Sequence, residues 1–287
     1  MSQPLQQPIS AILNKHGLHP DKSLGQNFLT DPNILEKITS IAGVTEKDTV
    51  LEIGAGLGHL TAQLARSAKQ VAAVELDERF IPVLEENLAE YENIRIIQGD
   101  ILSLNPQDLV QQNNYLVVAN IPYYITSRII RNLLESELKP TRIILTIQHE
   151  VAQRICARTG KMSLLSLSVL MYGEPSLEMR IPAGSFFPPP KIDSAVVLIN
   201  LYPEPLLKVE MREKFFEIIK AGFLHKRKTL RNSLSKGLAW SPDETENFLI
   251  EAGINPQRRA ETLVMDEWLE LTRNYDKIHP PQQLGTN

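Results

Sequence analysis

The central part of the chain alternates short apolar runs with longer amphipathic segments. Six runs rich in β-branched residues have the length of buried or half-buried strands. They are TVLEI (49–53), VAAVE (71–75), IRIIQ (94–98), YLVVA (115–119), RIILTIQ (142–148) and SAVVLINL (194–201). Helix-like segments at 58–68 and 78–91 separate the first three. Alternation of strands and helices at this spacing predicts a mostly parallel sheet covered by helices.

The pattern changes at residues 201–205, LYPEP, where two prolines interrupt both periodicities. Beyond this point the chain is predicted to be helical, starting with one long segment from Lys208 to Leu238. In a later segment Ser241 and Glu244 have capping-box spacing. We therefore predict an α/β domain over residues 1–202 and a smaller all-helical domain over 203–287.

Composition adds limits to this picture. Hydrophobic residues make up 43% of the 287 residues, which is enough for a sizeable core. The longest apolar runs are interrupted by charges before membrane-spanning length, and the first residues lack the pattern of a secretory signal. The single cysteine, Cys156, excludes an internal disulfide and a cysteine-based metal cluster. We expect a cytoplasmic protein without a metal centre or a membrane partner.

The charge is unevenly distributed. The net charge of -4 argues against a protein that binds nucleic acid through its overall charge. Residues 225–236, HKRKTLRNSLSK, are nevertheless basic without an acidic residue. Such a run forms either a solvated helix face or a local contact to a polyanion.

A glycine-rich loop follows the first predicted strand. VLEIGAGLGHLT places Gly54, Gly56 and Gly58 between that strand and a helix, where the backbone can approach a ligand closely. The nicotinamide-type fingerprint G-x-G-x-x-G requires glycine at position 59, which is His59. The spacing G-x-G-x-G, with Glu52 two residues ahead, is more typical of enzymes that bind S-adenosylmethionine (SAM).

Polar residues end the next three predicted strands. Glu75 is placed to accept hydrogen bonds from both hydroxyls of a ribose, and Asp100 to accept one from an adenine amino group. Either acid alone would also suit a helix cap or a solvated turn. Because all of these positions share the carboxyl edge of the sheet, the crevice there is the expected ligand site, and Asn120 faces it.

Seven motifs in order resemble one family, the SAM-dependent ribosomal RNA adenine dimethyltransferases, and most closely its bacterial small-subunit members. The motifs read SLGQNFLTDPNILEKI, LEIGAGLGHLT, VELDERF, QGDIL, VVANIPYYITSRII, QHEVAQRI and SFFPPPKIDSAVV, and the resemblance covers about Lys22 to Arg259. The resemblance implies a Rossmann-like methyltransferase sheet of seven strands with SAM as the cofactor. It also implies the cofactor contacts, which are Asn27, Leu29, Gly54, Gly56, Glu75, Asp100 and Asn120.

The same resemblance places the target adenine at NIPYY. Tyr123 would stack on the base, and Phe186 would cover its other face. Phe186 would also suit a core aromatic ahead of a rigid proline run, and NIPYY would also suit a strand-ending turn with packing tyrosines. Tyr124 receives no role, because relatives commonly have asparagine there.

Physical chemistry supports a catalytic function for this motif. The amino group of adenine is a poor nucleophile, because its lone pair is delocalised into the ring. The Asn120 side-chain oxygen and the Ile121 carbonyl could accept both amino protons and stabilise the developing positive charge. Pro122 would fix the local backbone, and Tyr123 would supply an aromatic face for an unstacked base.

The resemblance implies dimethylation of two adjacent adenosines in the 3′-terminal hairpin loop of small-subunit (16S) ribosomal RNA, within an immature subunit. We expect a monomer that contacts phosphates through Lys226, Arg227, Lys228 and Arg231. One alternative is a large-subunit (23S) RNA methyltransferase of the macrolide-resistance type, and another is a non-catalytic ribosome assembly factor. His59 and the aromatic motif argue against a third alternative, a nicotinamide oxidoreductase.

Overall fold

A computed structural model describes residues 5, 7–21, 23–110, 113–122 and 125–278. The chain divides into two compact units. The first comprises Met1–Gln153 and Glu174–Pro203, and the second comprises Arg154–Gly173 and Glu204–Asn287. The second unit thus contains residues 154–173 in addition to the C-terminal part of the chain.

The first unit is built on a seven-stranded sheet with the order β4-β3-β2-β5-β6-β9-β7. Its strands are β2 (Thr49–Ile53), β3 (Gln70–Glu75), β4 (Ile94–Gln98), β5 (Leu116–Asn120), β6 (Arg142–Gln148), β7 (Gly173–Ile181) and β9 (Ser194–Leu201). Strands β4, β3, β2, β5 and β6 are parallel, and β9 pairs antiparallel with β6. The predicted mostly parallel, Rossmann-like sheet is confirmed.

All six predicted strands are present with bounds within one residue of the prediction. The seventh, β7, was not located in the sequence. It lies at an edge of the sheet, and Pro175 and several charged residues break its apolar pattern. An edge strand is covered less completely than a central one, so its sequence retains less hydrophobic signal.

Helices lie before and between these strands along the chain. They are α1 (Ile9–Lys15), α2 (Pro32–Ala42), α3 (His59–Ala65), α4 (Ile81–Asn87), α5 (Pro106–Val110), α6 (Thr126–Glu135) and α7 (His149–Ile155). The start of α2 shows the local logic, since the Asp31 side chain accepts from the Asn33 amide and Pro32 occupies the first turn. The helix ends at Gly43, which has a left-handed backbone conformation.

A separate two-stranded sheet joins distant parts of the first unit. Strand β1 (Phe28–Leu29) pairs antiparallel with β8 (Phe186–Phe187). Thr30 extends the pairing, because its backbone amide and its hydroxyl both donate to the Ser185 carbonyl, at 3.0 and 2.9 Å. Residues 24–30, called the lid below, are thereby fixed to the segment that precedes β9.

The second unit is helical. Its helices are α8 (Leu164–Leu170), α9 (Val209–Phe223), α10 (Leu230–Gly237), α11 (Pro242–Glu251) and α12 (Met265–Ile278). The capping box of Ser241 and Glu244 is confirmed at the start of α11. The segment from Lys208 to Leu238, predicted to be helical, forms two helices, because the chain turns at 224–229 and Thr229 caps a new helix. In the described part of the chain, no helix has the length and apolar character needed to cross a membrane.

Candidate active site

A cavity in the first unit opens at the carboxyl ends of β2, β3, β4 and β5. Side chains and backbone from all four strand ends line it, together with the lid and the start of α3. The positions assigned to the cofactor in the sequence all lie on its wall, namely Asn27, Leu29, Gly54, Gly56, Glu75, Asp100 and Asn120. The topology thus brings together residues that are up to 93 positions apart.

The glycine loop after β2 forms one side of this cavity at close range. Gly54, Gly56 and Gly58 have φ of 80°, 58° and 87°, values that favour glycine. A Cβ atom on Gly56 would lie 3.0 Å from the Phe28 ring of the lid. One on Gly54 would lie 3.3 Å from the backbone oxygen of Asn120. The absence of side chains therefore lets the loop, the lid and the end of β5 approach one another.

Glu75 is held rigidly at the end of β3. Its Oε2 accepts from the Gly56 amide at 2.7 Å, and its Oε1 accepts from the Asp77 amide at 2.9 Å. Burial raises the pKa of Glu75, while the two amides oppose that shift. Each carboxylate oxygen retains acceptor capacity, which suits a pair of adjacent hydroxyls.

Asp100 follows β4 and is exposed at the rim of the cavity. Its Oδ1 accepts from the Leu102 amide at 2.9 Å, so the side chain also organises the turn that follows the strand. Asp100 therefore stabilises a turn, as the sequence had suggested as an alternative, and it also lies on the cavity wall.

Asn120 connects the sheet to the lid. Its Nδ2 donates to the backbone oxygen of Asn27 at 3.1 Å, and the Asn27 side chain donates to the Gly25 oxygen at 3.0 Å. Because the side-chain nitrogen of Asn120 donates to the lid, the side-chain oxygen Oδ1 points away from this contact. Ile121 and Pro122 line the cavity beside it. Tyr123, predicted to stack on the base, and Tyr124 lie outside the described residues.

A second connection between lid and sheet was not anticipated from the sequence. Gln26 donates through Nε2 to Asp77 Oδ2 at 2.8 Å and accepts through Oε1 from the Asp21 amide at 2.7 Å. Asp77 also binds the Arg79 guanidinium, which holds the pKa of the Asp77 carboxyl below its usual range. The only sequence signal was the position of Gln26 in the GQNFL motif.

Phe186 is 3% exposed and packs in the main hydrophobic cluster, which also contains Leu29. It does not line the cavity described above. The adjacent Phe187 is 36% exposed, as expected for neighbouring residues of a strand that face opposite sides. The position of Phe186 is that of the core aromatic considered as the alternative.

Two further titratable residues lie on the cavity wall. His59 is the first residue of α3, and burial lowers its pKa to about 4, so the imidazole is neutral at pH 7. Glu52 lies in β2 and is 1% exposed, and burial raises its pKa to about 8. The sequence had indicated Glu52 only through its spacing from the glycines.

The four basic residues predicted to contact RNA lie in the second unit and differ in their surroundings. Lys226, Arg227 and Lys228 are exposed in the turn between α9 and α10. Arg231 is 26% exposed, and its Nε lies 2.8 Å from Glu246 Oε2 and 3.2 Å from the Pro242 oxygen. Arg231 is therefore engaged within its own unit, whereas the other three form an exposed basic turn.

Comparison with known proteins gives consistent results. A family model described as ribosomal RNA adenine dimethylase matches residues 18–277. A ribosomal RNA small subunit methyltransferase A from Dehalococcoides mccartyi is 44% identical over 92% of this chain and 91% of its own length. One from Enterococcus faecalis is 40% identical over 94% of this chain and 95% of its own length.

Solved structures extend the similarity to the fold. A dimethyladenosine transferase from Plasmodium falciparum has a TM-score of 0.76 and 25% identity, covering 87% of this chain and 98% of its own. The 23S rRNA methyltransferase ErmE has a TM-score of 0.72 and 28% identity, covering 87% of this chain and 100% of its own. The similarity therefore includes both units.

Proposed function

The chain belongs to the ribosomal RNA adenine dimethylase family, and from this premise we propose that it dimethylates two adjacent adenosines of small-subunit (16S) ribosomal RNA. It is a SAM-dependent methyltransferase that acts on N6 of adenine. The target bases lie in the hairpin loop near the 3′ end of the RNA, where they are more accessible than paired bases. The substrate we propose is an immature small subunit, and the enzyme acts as a monomer in the cytoplasm.

One observation supports this proposal most directly. Every position assigned to the cofactor lies on the wall of a single cavity. The residues present fit SAM, because the glycine loop has no side chains where it approaches the lid and the end of β5, and because Glu75 is oriented by two backbone amides. SAM supplies a methyl group on a positively charged sulfur, so transfer needs neither a metal nor a nucleophilic side chain.

In the proposed mechanism, Asn120 and Ile121 hold the target amino group. The Asn120 Oδ1 and the Ile121 carbonyl accept its two protons, and the contact from Asn120 Nδ2 to Asn27 fixes the orientation of the amide. As the amino nitrogen becomes tetrahedral and positively charged, these acceptors stabilise the transition state more than the ground state. Pro122 restricts the backbone that presents the carbonyl.

We assign stacking on the base to Tyr123. An aromatic ring next to the gripping motif supplies the face that an unstacked base requires. The 3% exposure of Phe186 leaves little surface for a base, so we propose that Phe186 instead anchors the lid through its pairing with Leu29. Asp100 and Glu75 are proposed to bind the adenine and the ribose of the cofactor.

The large-subunit alternative shares the fold, as the similarity to ErmE indicates. Identities of 40–44% over almost the whole length of small-subunit methyltransferases favour the small-subunit assignment. A non-catalytic assembly factor would not need the cavity to be lined by all of these polar positions.

The test is mass spectrometry of RNA after incubation of the protein with SAM. We expect two adjacent adenosines of immature small subunits to gain two methyl groups each, and naked large-subunit RNA to gain none. Methylation of the large-subunit RNA would support the alternative enzyme. Normal binding to immature subunits without transfer of methyl groups would support the assembly factor.

A further inference from the structure

Glu52 is an ionisable residue of the cavity wall whose carboxyl group is buried without a hydrogen-bond partner among the described residues. It lies on β2, which pairs with β3 and β5 in the middle of the sheet, and it is one of the residues that line the cavity. Among the described residues neither carboxyl oxygen has a hydrogen-bond partner, and the same is true of the neighbouring Thr61 hydroxyl. Buried polar atoms normally have hydrogen-bond partners, so we expect a ligand to supply the partner that the Glu52 carboxyl lacks.

The surroundings of Glu52 disfavour a negative charge in the absence of ligand. From β3 the Glu75 carboxyl faces it and adds repulsion to the larger effect of burial. On α3, the Thr61 hydroxyl partly opposes this rise in the pKa of Glu52, although it does not reach hydrogen-bond geometry. His59, also on α3, is neutral. Asn120 at the end of β5 is uncharged, and Asp100 at the end of β4 is another acid on the wall. No cationic side chain lines this cavity among the described residues.

Glu75 and Glu52 therefore differ in what they can offer a ligand. Both oxygens of Glu75 accept hydrogen bonds from backbone amides, whereas both oxygens of Glu52 are buried and have no hydrogen-bond partner among the described residues. SAM carries a sulfonium and an ammonium group against one carboxylate, so it enters this site as a cation. A buried carboxylate interacts strongly with a cation in a medium of low dielectric constant.

We propose that Glu52 is protonated in the free enzyme and releases its proton when SAM binds, becoming the counter-ion of the cofactor's positive charge. This inference rests on the proposed function, because it requires SAM to occupy the cavity. The carboxyl O–H bond breaks, the proton passes to solvent, and the electron pair stays on the carboxylate. S-Adenosylhomocysteine lacks the sulfonium charge, so its binding releases less of this proton and is weaker than the binding of SAM.

The affinity of the protein for SAM should depend on pH through Glu52. The pKa of Glu52 is about 8 in the free protein and falls when a cation is bound beside it. Below pH 8, binding must displace a proton, so the affinity for SAM rises with pH and this contribution levels off above pH 8.

The experiment is isothermal titration calorimetry of SAM binding at pH 7 in buffers with different enthalpies of ionisation. The slope of enthalpy against buffer enthalpy gives the number of protons released. Because the α-amino group of SAM also titrates near neutrality, the decisive quantity is the difference between wild type and Glu52→Gln. Glu36→Gln, which removes a carboxylate from the exposed face of α2, is the matched control.

We expect wild type and Glu36→Gln to release close to one proton more than Glu52→Gln. Glu52→Gln should bind SAM roughly tenfold more weakly and S-adenosylhomocysteine with a smaller loss. In the wild-type protein, infrared difference spectra should show loss of the C=O band of a protonated carboxyl on addition of SAM. This measurement does not depend on the folding of any variant.

The outcomes separate this inference from the proposed function. If SAM binds but proton release is the same in wild type and Glu52→Gln, or the infrared band does not change, the proton-release inference is wrong and the methyltransferase assignment stands. If SAM does not bind to the wild-type protein at all, both are overturned.

Discussion

Asn120 is the residue at which the lid and the sheet meet. Its Nδ2 contacts the lid and its Oδ1 is assigned to the target amino group, so the side chain has two separate functions. The sequence indicated the second function from the position of Asn120 at a strand end. It could not indicate the first, because the partner Asn27 is 93 residues away.

We predict that Asn120→Ala lowers the rate of methyl transfer about a hundredfold or more, because one of two acceptors for the developing charge is lost. SAM affinity should fall less, through the loosened lid. Single-turnover kinetics and calorimetry measure the two effects. Asn200→Ala, at an exposed position near the opposite end of the sheet, is the control. Turnover of Asn120→Ala near the wild-type rate would contradict the mechanism.

Gly56 gives a second prediction at the residue scale, because two distinct effects oppose a side chain there. Gly56→Ala meets both left-handed backbone strain and the Phe28 ring, whereas Gly160→Ala, with φ of 86° and nothing within 4 Å, meets the strain alone. The strain costs about 1–2 kcal/mol of the free energy of unfolding in each. Only Gly56→Ala should also weaken SAM binding, as measured by calorimetry. Equal SAM affinity in the two variants would show that the contact with Phe28 is unimportant.

At the scale of elements, the lid is the part that the sequence described least well. Strands β1 and β8 have two residues each, too short to produce a periodic signal. The neighbouring residues Phe186 and Phe187 are chemically identical, so the sequence could not show which of them faces the core. Pairing with β1 decides this, and places Phe186 opposite Leu29. The long strands of the central sheet, by contrast, were recognised from their own residues.

We predict that Gln26→Ala weakens SAM binding about fivefold to tenfold, because a hydrogen bond to the charged Asp77 holds the lid to the end of β3. The variant should also expose the lid to limited proteolysis in the absence of SAM. Gln107→Ala, at an exposed position in α5, is the control for a glutamine lost elsewhere. If Gln26→Ala matched this control in both measurements, the contact to Asp77 would have no function in closing the lid.

At the scale of the molecule, the second unit shows why local sequence patterns cannot predict which segments pack together. The prolines at 201–205 predicted a change of structure, whereas nothing in the sequence indicated that residues 154–173 are grouped with the helices that follow. Backbone contacts explain this grouping, since Met162 donates to the Glu261 oxygen and Leu206 to the Met171 oxygen. Such long-range contacts leave no pattern in either segment. The ion pair between Arg231 and Glu246 is hidden for the same reason.

We predict that replacing Lys226, Arg227 and Lys228 together by alanine weakens binding to immature small subunits and reduces its salt dependence, because phosphate contacts release counter-ions. Binding measured over a series of salt concentrations tests this, and SAM affinity should be unchanged. Arg231→Ala is the control, since it should lower thermal stability while altering the salt dependence little. A salt dependence unchanged in the triple variant would exclude the basic turn from RNA binding.

The pairing of β1 with β8 also determines when a newly made chain can acquire its activity. Phe28 is synthesised 159 residues before its strand partner Phe187. The central strands β2, β3 and β5 can pair once residue 120 has emerged, so an open sheet forms well before the lid has a strand to bind. The cofactor site is therefore completed only after Phe187 has been made, and a nascent chain that ends before this residue has the glycine loop without its cover.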